Sequence, residues 1–144
     1  MSKRFINTAI LYAILAMVGG VFYREFTKFL GFEGQTALSV VHTHYFALGM
    51  LFFLVLALLQ NAFAFRQRKG AGIALALYHA GLNVTVLGLL LRGLAQATGT
   101  TLARGMDAAL SGISGLGHMA LGAGLVWLLV AVAKATGERE RANG

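Results

Sequence analysis

The chain has 144 residues, one domain's worth, and 58% of them are hydrophobic. Only 12% are charged, 12 Lys plus Arg against 5 Asp plus Glu for a net charge of +7, roughly half the charged share of a soluble domain. This composition excludes a soluble globular enzyme and a disordered chain. The absence of cysteine excludes a disulfide scaffold, an iron–sulfur cluster, a thiolate metal site and haem attached through Cys-x-x-Cys-His.

Charges punctuate four apolar runs, which predicts an all-α integral membrane protein with a single four-span domain over residues 1–144. The spans are placed at about 5–23, 38–65, 71–91 and 108–133, each sufficient for a hydrocarbon core about 30 Å thick. The first run, Phe5–Tyr23, lies between Lys3-Arg4 and Arg24-Glu25. Its length exceeds the ~7–15 apolar residues of a signal peptide, so it is read as a true span. Arg24–Gln35 follows as an interfacial amphipathic helix carrying Phe26, Phe29 and Phe32. The second run fills the uncharged interval between Glu33 and Arg66. The third is Ala71–Leu91 and the fourth Ala108–Ala133, followed by a frayed polar tail at Gly137–Gly144. With no proline, nothing forces a kink, and the runs are continuous rather than alternating, which argues against strands.

Four spans put both termini on one side and predict an antiparallel bundle. That side holds Lys3, Arg4, Arg66, Arg68, Lys69, Lys134, Arg139 and Arg141, and the other holds Arg24, Lys28, Arg92 and Arg104. The positive-inside rule therefore places the termini in the cytoplasm, as expected for a multi-pass protein of a bacterial inner membrane. The basic excess marks helix ends, so nucleic acid is not an expected partner; the lipid bilayer is. Nineteen glycines, among them Gly81, Gly88, Gly112, Gly115, Gly117, Gly122 and Gly124, allow helices to approach closely or leave a bare helix surface for a flat ligand.

All four histidines fall inside spans: His42 and His44 in the second, His79 in the third, His118 in the fourth. Ionisable groups at membrane depth are costly and mark bundle interiors or functional sites. No acidic residue accompanies them, so a pump-type proton relay lacks its carriers. Neutral imidazole as a ligand of metal or haem iron remains. Counting from the outer span ends puts His42, His44, His118 and His79 roughly 9, 12, 15 and 18 Å deep, consistent with one layer in the outer half of the membrane. His42 and His44 are separated by about 200° on a helix and face nearly opposite ways, so they do not ligate one ion together. Met17, Met50, Met106 and Met119 are read as packing. Arg92 and Arg104 stand at the outer edge, where they either pair with haem propionates or cap the membrane boundary.

The segment Val41-His42-Thr43-His44-Tyr45-Phe46-Ala47-Leu48-Gly49 resembles the haem-bearing helix of heme-copper oxidase subunit I, where a His-x-His-Tyr run is followed by small residues and Gly. Along its whole length, on Phe22-Tyr23-Arg24-Glu25-Phe26-Thr27 and on Val41–Gly49, the chain also resembles a family of small bacterial four-helix membrane proteins of unknown function. The oxidase resemblance implies histidines that point to opposite faces and bind different haems. It also implies that this chain is one repeat unit of a heme-copper-oxidase-like trimer. A homotrimer would then hold haem between protomers through His42 of one and His44 of the next. Departures are plain: the third span offers only His79, with no His-His pair for copper, so oxygen reduction is not expected. His118, between Gly117 and Gly122, is the other candidate axial ligand, pairing across the bundle with His44.

The expectation is a membrane protein binding haem b through histidine pairs, with metal ligands among His42, His44 and His118 and further cofactor contacts from His79, Arg92 and Arg104. Its expected role is electron transfer or redox sensing with an unidentified redox partner, not catalysis. The alternatives are a haem or copper carrier or assembly factor, a structural membrane subunit without cofactor, and a small histidine-lined channel.

Overall fold

The computed structural model describes residues 2–143. It is all-helical: α1 (Ser2–Phe29), α2 (Ala37–Phe63), α3 (Ala71–Ala97) and α4 (Arg104–Asn143). No strand occurs among the described residues. Each helix is long and apolar enough to cross a membrane, and large apolar side chains such as Val18, Leu58, Ile73, Leu116 and Met119 are exposed. Such a surface fits a lipid bilayer and a multi-pass membrane protein.

α1, α3 and α4 outrun the expected spans, while α2 ends two residues short of its own. Nothing between Tyr23 and Phe29 breaks a helix, and Thr27 Oγ1 donates back to the Tyr23 carbonyl at 2.8 Å. The expected separate helix over Arg24–Gln35 is therefore absent, and its first residues extend α1 instead. α1 stops where Gly31 takes φ 60°. There Gly31 N–H donates to Lys28 and Phe32 N–H to Thr27, the paired bonds of a glycine C-cap. Gly99 ends α3 in the same way, with φ 67° and bonds from Gly99 to Gln96 and from Thr100 to Ala95.

The expected frayed tail is also helical, through Asn143. Arg68 Nη1 donates to Glu138 Oε2 at 2.8 Å in a two-point ion pair. Arg139 donates to the Ala62 carbonyl, with its guanidinium 5.7 Å from the Phe63 ring centre. The end of α4 is thus tied to the α2–α3 connection, where Ala64 turns left-handed.

Two glycine pairs set the closest approach. Gly81 faces the Leu121 backbone and the Gly117 carbonyl, and Gly88 faces Ser114. On α4, a Cβ at Gly117 would stand 2.9 Å from Thr85 N, and one at Gly124 2.7 Å from Tyr78 N. These positions are seven apart on each helix, so α3 and α4 lie nearly backbone to backbone along their length. Tyr78, Phe53, Phe65, Leu82 and Leu128 are fully buried and join α1 to α4 in one apolar core.

Candidate functional site

α2 carries the His-x-His segment and is irregular, although proline is absent. Thr36 caps it, accepting from Leu38 N–H at 3.3 Å and donating to the Gly93 carbonyl at 2.7 Å, while Ala37 N–H donates to Gln96 Oε1. This fastens the start of α2 to the end of α3. One 3₁₀ turn (Ala37–Val40) leads to an α turn (Val41–His44), a π-helical stretch (Tyr45–Leu51) and a regular α-helix (Phe52–Phe63). In the π stretch bonds reach five residues back, as from Phe52 N–H to the Ala47 carbonyl, and Tyr78 O–H donates to the Leu48 carbonyl at 2.7 Å. π segments interrupt long helices frequently at functional sites, and this one follows directly on His44.

The α turn sends its two histidines to different neighbours, as their spacing requires. His42 lies on α1, where a Cβ at Gly20 would stand 3.6 Å from its Cγ. Its buried Nδ1 has no partner among the described residues. His44 reaches towards α4, its ring centre 6.2 Å from that of His118 with the planes 85° apart. His44 Nδ1 bonds the Val40 carbonyl at 2.8 Å and His118 Nδ1 bonds the Ser114 carbonyl at 2.9 Å. A carbonyl can only accept, so both rings carry their proton on Nδ1 and present Nε2 as a bare lone pair. Each ring is thereby oriented by its own helix, the arrangement that supports metal-bound histidine.

Two imidazoles sharing one metal ion stand with their centres roughly 6 Å apart, given a metal–nitrogen bond of about 2 Å on each side. The observed ring-centre separation of 6.2 Å is of that size. No group of three or more His, Cys, Asp or Glu is placed to hold a metal among the described residues, so a tetrahedral site made by the protein alone is not built. A metal whose remaining positions are filled by a flat macrocycle needs only the pair. Space for such a group exists beside His118. Gly115 and Gly122, three before and four after it on the same face, have nothing within 4 Å of where a Cβ would project.

His79 is not part of this cluster. It lies level with Tyr12 of α1, whereas His42 lies level with Gly19 and Gly20, roughly 11 Å further along α1. The expected single layer of four histidines is therefore three plus one. The physical reason is that α3 continues six residues past Leu91 to Ala97, which puts His79 much further from that end of the bundle. Its ring packs against both Tyr12 (5.8 Å) and Phe53 (4.6 Å), with Nδ1 2.7 Å from Tyr12 Oη. Asn83 joins the group, donating to Tyr12 Oη at 3.0 Å and to the His79 carbonyl at 2.8 Å, and accepting from Tyr45 O–H at 3.1 Å. Sequence reading missed this network, although Asn83 is a carboxamide in the middle of the third apolar run and marks a polar interaction there.

Arg92 is already engaged, donating to Asp107 Oδ1 and Ser111 Oγ at 2.7 Å each, and so pins the end of α3 to the start of α4. Ser111 is seven residues before His118, two turns along the same face. Arg104 lines a separate hollow at the α3–α4 connection with Arg92 and Asp107.

A family model described as "Protein of unknown function (DUF2871)" matches residues 2–135, and the chain belongs to that family. No curated protein and no solved structure matches the chain. The likeness of Val41–Gly49 to the oxidase helix rests on those residues alone.

Proposed function

We propose that this chain is a membrane haem-binding protein of b type, with His44 and His118 as the two axial ligands and a role in electron transfer or redox sensing. One observation carries the reading: two histidines from different helices stand ring to ring, each with Nδ1 committed to its own backbone and Nε2 available. Haem bound there would supply a one-electron iron couple, and two histidine ligands would leave no position for a substrate. The protein's own part is orientation. The Val40 and Ser114 carbonyls hold the rings, the bare face at Gly115 and Gly122 admits a flat group, and Arg92 at Ser111 lies about 10 Å from His118 along α4, within reach of propionates.

This site needs one chain, arranged as an antiparallel bundle. The trimer expected from the oxidase resemblance is not required for ligation, and His42 packs on α1 rather than completing the site. The same reading places the protein in a bacterial inner membrane with cytoplasmic termini, so that the His44–His118 pair lies in the outer half.

The test is a visible spectrum of detergent-purified protein expressed with ample haem, air-oxidised and then dithionite-reduced. A sharp Soret band with split α and β bands on reduction is the expected result. A featureless spectrum overturns the reading in favour of a structural subunit. Haem that washes out on repeated exchange points instead to a carrier.

A further inference from the structure

The hydrogen-bond chain around His79 has a direction, and its last residue lines a cavity. Asn83 Nδ2 spends its two hydrogens on the His79 carbonyl and on Tyr12 Oη, and Asn83 Oδ1 accepts from Tyr45. Tyr12 Oη, already accepting, satisfies its own proton by donating to His79 Nδ1 at 2.7 Å. His79 is then neutral with its proton on Nε2, the opposite tautomer to His44 and His118.

His79 lines a cavity of about 330 Å³ together with Arg4, Thr8 and Arg66, between apolar walls formed by Phe5, Phe53 and Leu75. Its polar side chains can all donate: two guanidiniums, the His79 Nε2–H and the Thr8 hydroxyl. No carboxylate lines it, and neither Arg4 nor Arg66 has an ion-pair partner among the described residues. The Arg66 guanidinium is held over Gly72, both terminal nitrogens 3.1 Å from where a Cβ would sit. Arginine stays charged, and its planar fork matches the oxygens of phosphate. Two such groups together with a neutral imidazole N–H make a lining of donors suited to an oxyanion.

We propose that this cavity binds a phosphate-class oxyanion, its oxygens taken by Arg4, Arg66 and the His79 Nε2–H, at the end of the bundle that carries both termini. The phosphate belongs either to an anionic phospholipid headgroup, for which basic pockets between membrane helices are suited, or to free phosphate. The site is separate from the His44–His118 pair and does not rest on the haem reading.

The full chain in phosphatidylcholine nanodiscs, titrated in one arm with phosphatidylglycerol and in the other with inorganic phosphate, tests this through the thermal unfolding midpoint. Saturable stabilisation by phosphatidylglycerol alone identifies a lipid site, and stabilisation by inorganic phosphate identifies a free-anion site; either upholds the proposal. Arg4→Gln and Arg66→Gln should each weaken the response about tenfold, while Arg68→Gln, in the same connection but paired with Glu138, should change it less than about twofold. Arg66→Lys keeps the charge and loses the fork, so it should weaken binding several-fold even if Arg66→Gln fails to fold. No response in either arm, or an equal loss in Arg68→Gln, overturns the proposal. So does a ¹⁵N NMR spectrum placing the His79 proton on Nδ1.

Discussion

The Tyr12 ring lies on the bare backbone of Gly49: a Cβ there would stand 2.6 Å from Tyr12 Cγ and 2.7 Å from its Cβ. Gly49 belongs to the π stretch of α2, and Tyr12 holds His79. The irregularity in α2 and the polar network on α3 therefore meet through one missing side chain. Gly49→Ala should overfill this contact and destabilise the protein by about 1–3 kcal/mol. Denaturation in mild detergent measures it, and an unchanged stability would mean that Tyr12 moves aside freely.

His44→Ala and His118→Ala should each abolish the reduced-minus-oxidised Soret difference, whereas His42→Ala should retain it. Loss with His42→Ala and retention with His118→Ala would restore the ligation between protomers implied by the oxidase resemblance.

The glycines of α4 divide into two functional kinds. Gly122→Leu projects into open space and should leave the fold intact while blocking a flat ligand beside His118. Gly117→Leu projects into Thr85 and Val84 and should cost about 1–3 kcal/mol or more. Parallel measurement of melting and haem content separates them, and equal behaviour of the two variants would refute the division.

The Arg68–Glu138 pair is a local fastener. Arg68 is 23% exposed and Glu138 65%, so its solvent-screened contribution is small, below about 1 kcal/mol. Glu138→Ala should leave global unfolding nearly unchanged while speeding amide hydrogen exchange over residues 134–142. Unchanged exchange there would show that the Arg139 contacts alone hold the helix end.

Asn83→Leu should strand the hydroxyl of Tyr45, which donates to that carboxamide, and remove the N–H that Tyr12 Oη accepts, while Tyr12 keeps its bond to His79. These bonds are only partly buried, so their loss should cost about 0.5–1.5 kcal/mol. Restoration of stability by adding Tyr45→Phe would confirm the coupling, and strict additivity would refute it.

Four helices were legible in the sequence because charges in hydrocarbon are expensive, so uncharged runs bounded by Lys and Arg have one economical state. The divergence of His42 and His44 was legible too, because it follows from helical rotation alone. Helix ends were not, since Gly31 and Gly99 act as caps only where the chain reverses, and the end of α4 meets Arg68, Ala62 and Phe63 only in the folded chain. Nor could the sequence say which glycines would lie against a backbone and which would stay open: Gly117 and Gly115 have the same chemistry, and only their orientation towards α3 distinguishes them. His118 was legible as a candidate neighbour of His44, but the 6.2 Å approach of their rings, and the separate placement of His79 with Tyr12 and Asn83, were decided by tertiary structure. A residue's depth and face are set by how far each helix runs and where it crosses its neighbours, and those are properties of contacts distant in sequence.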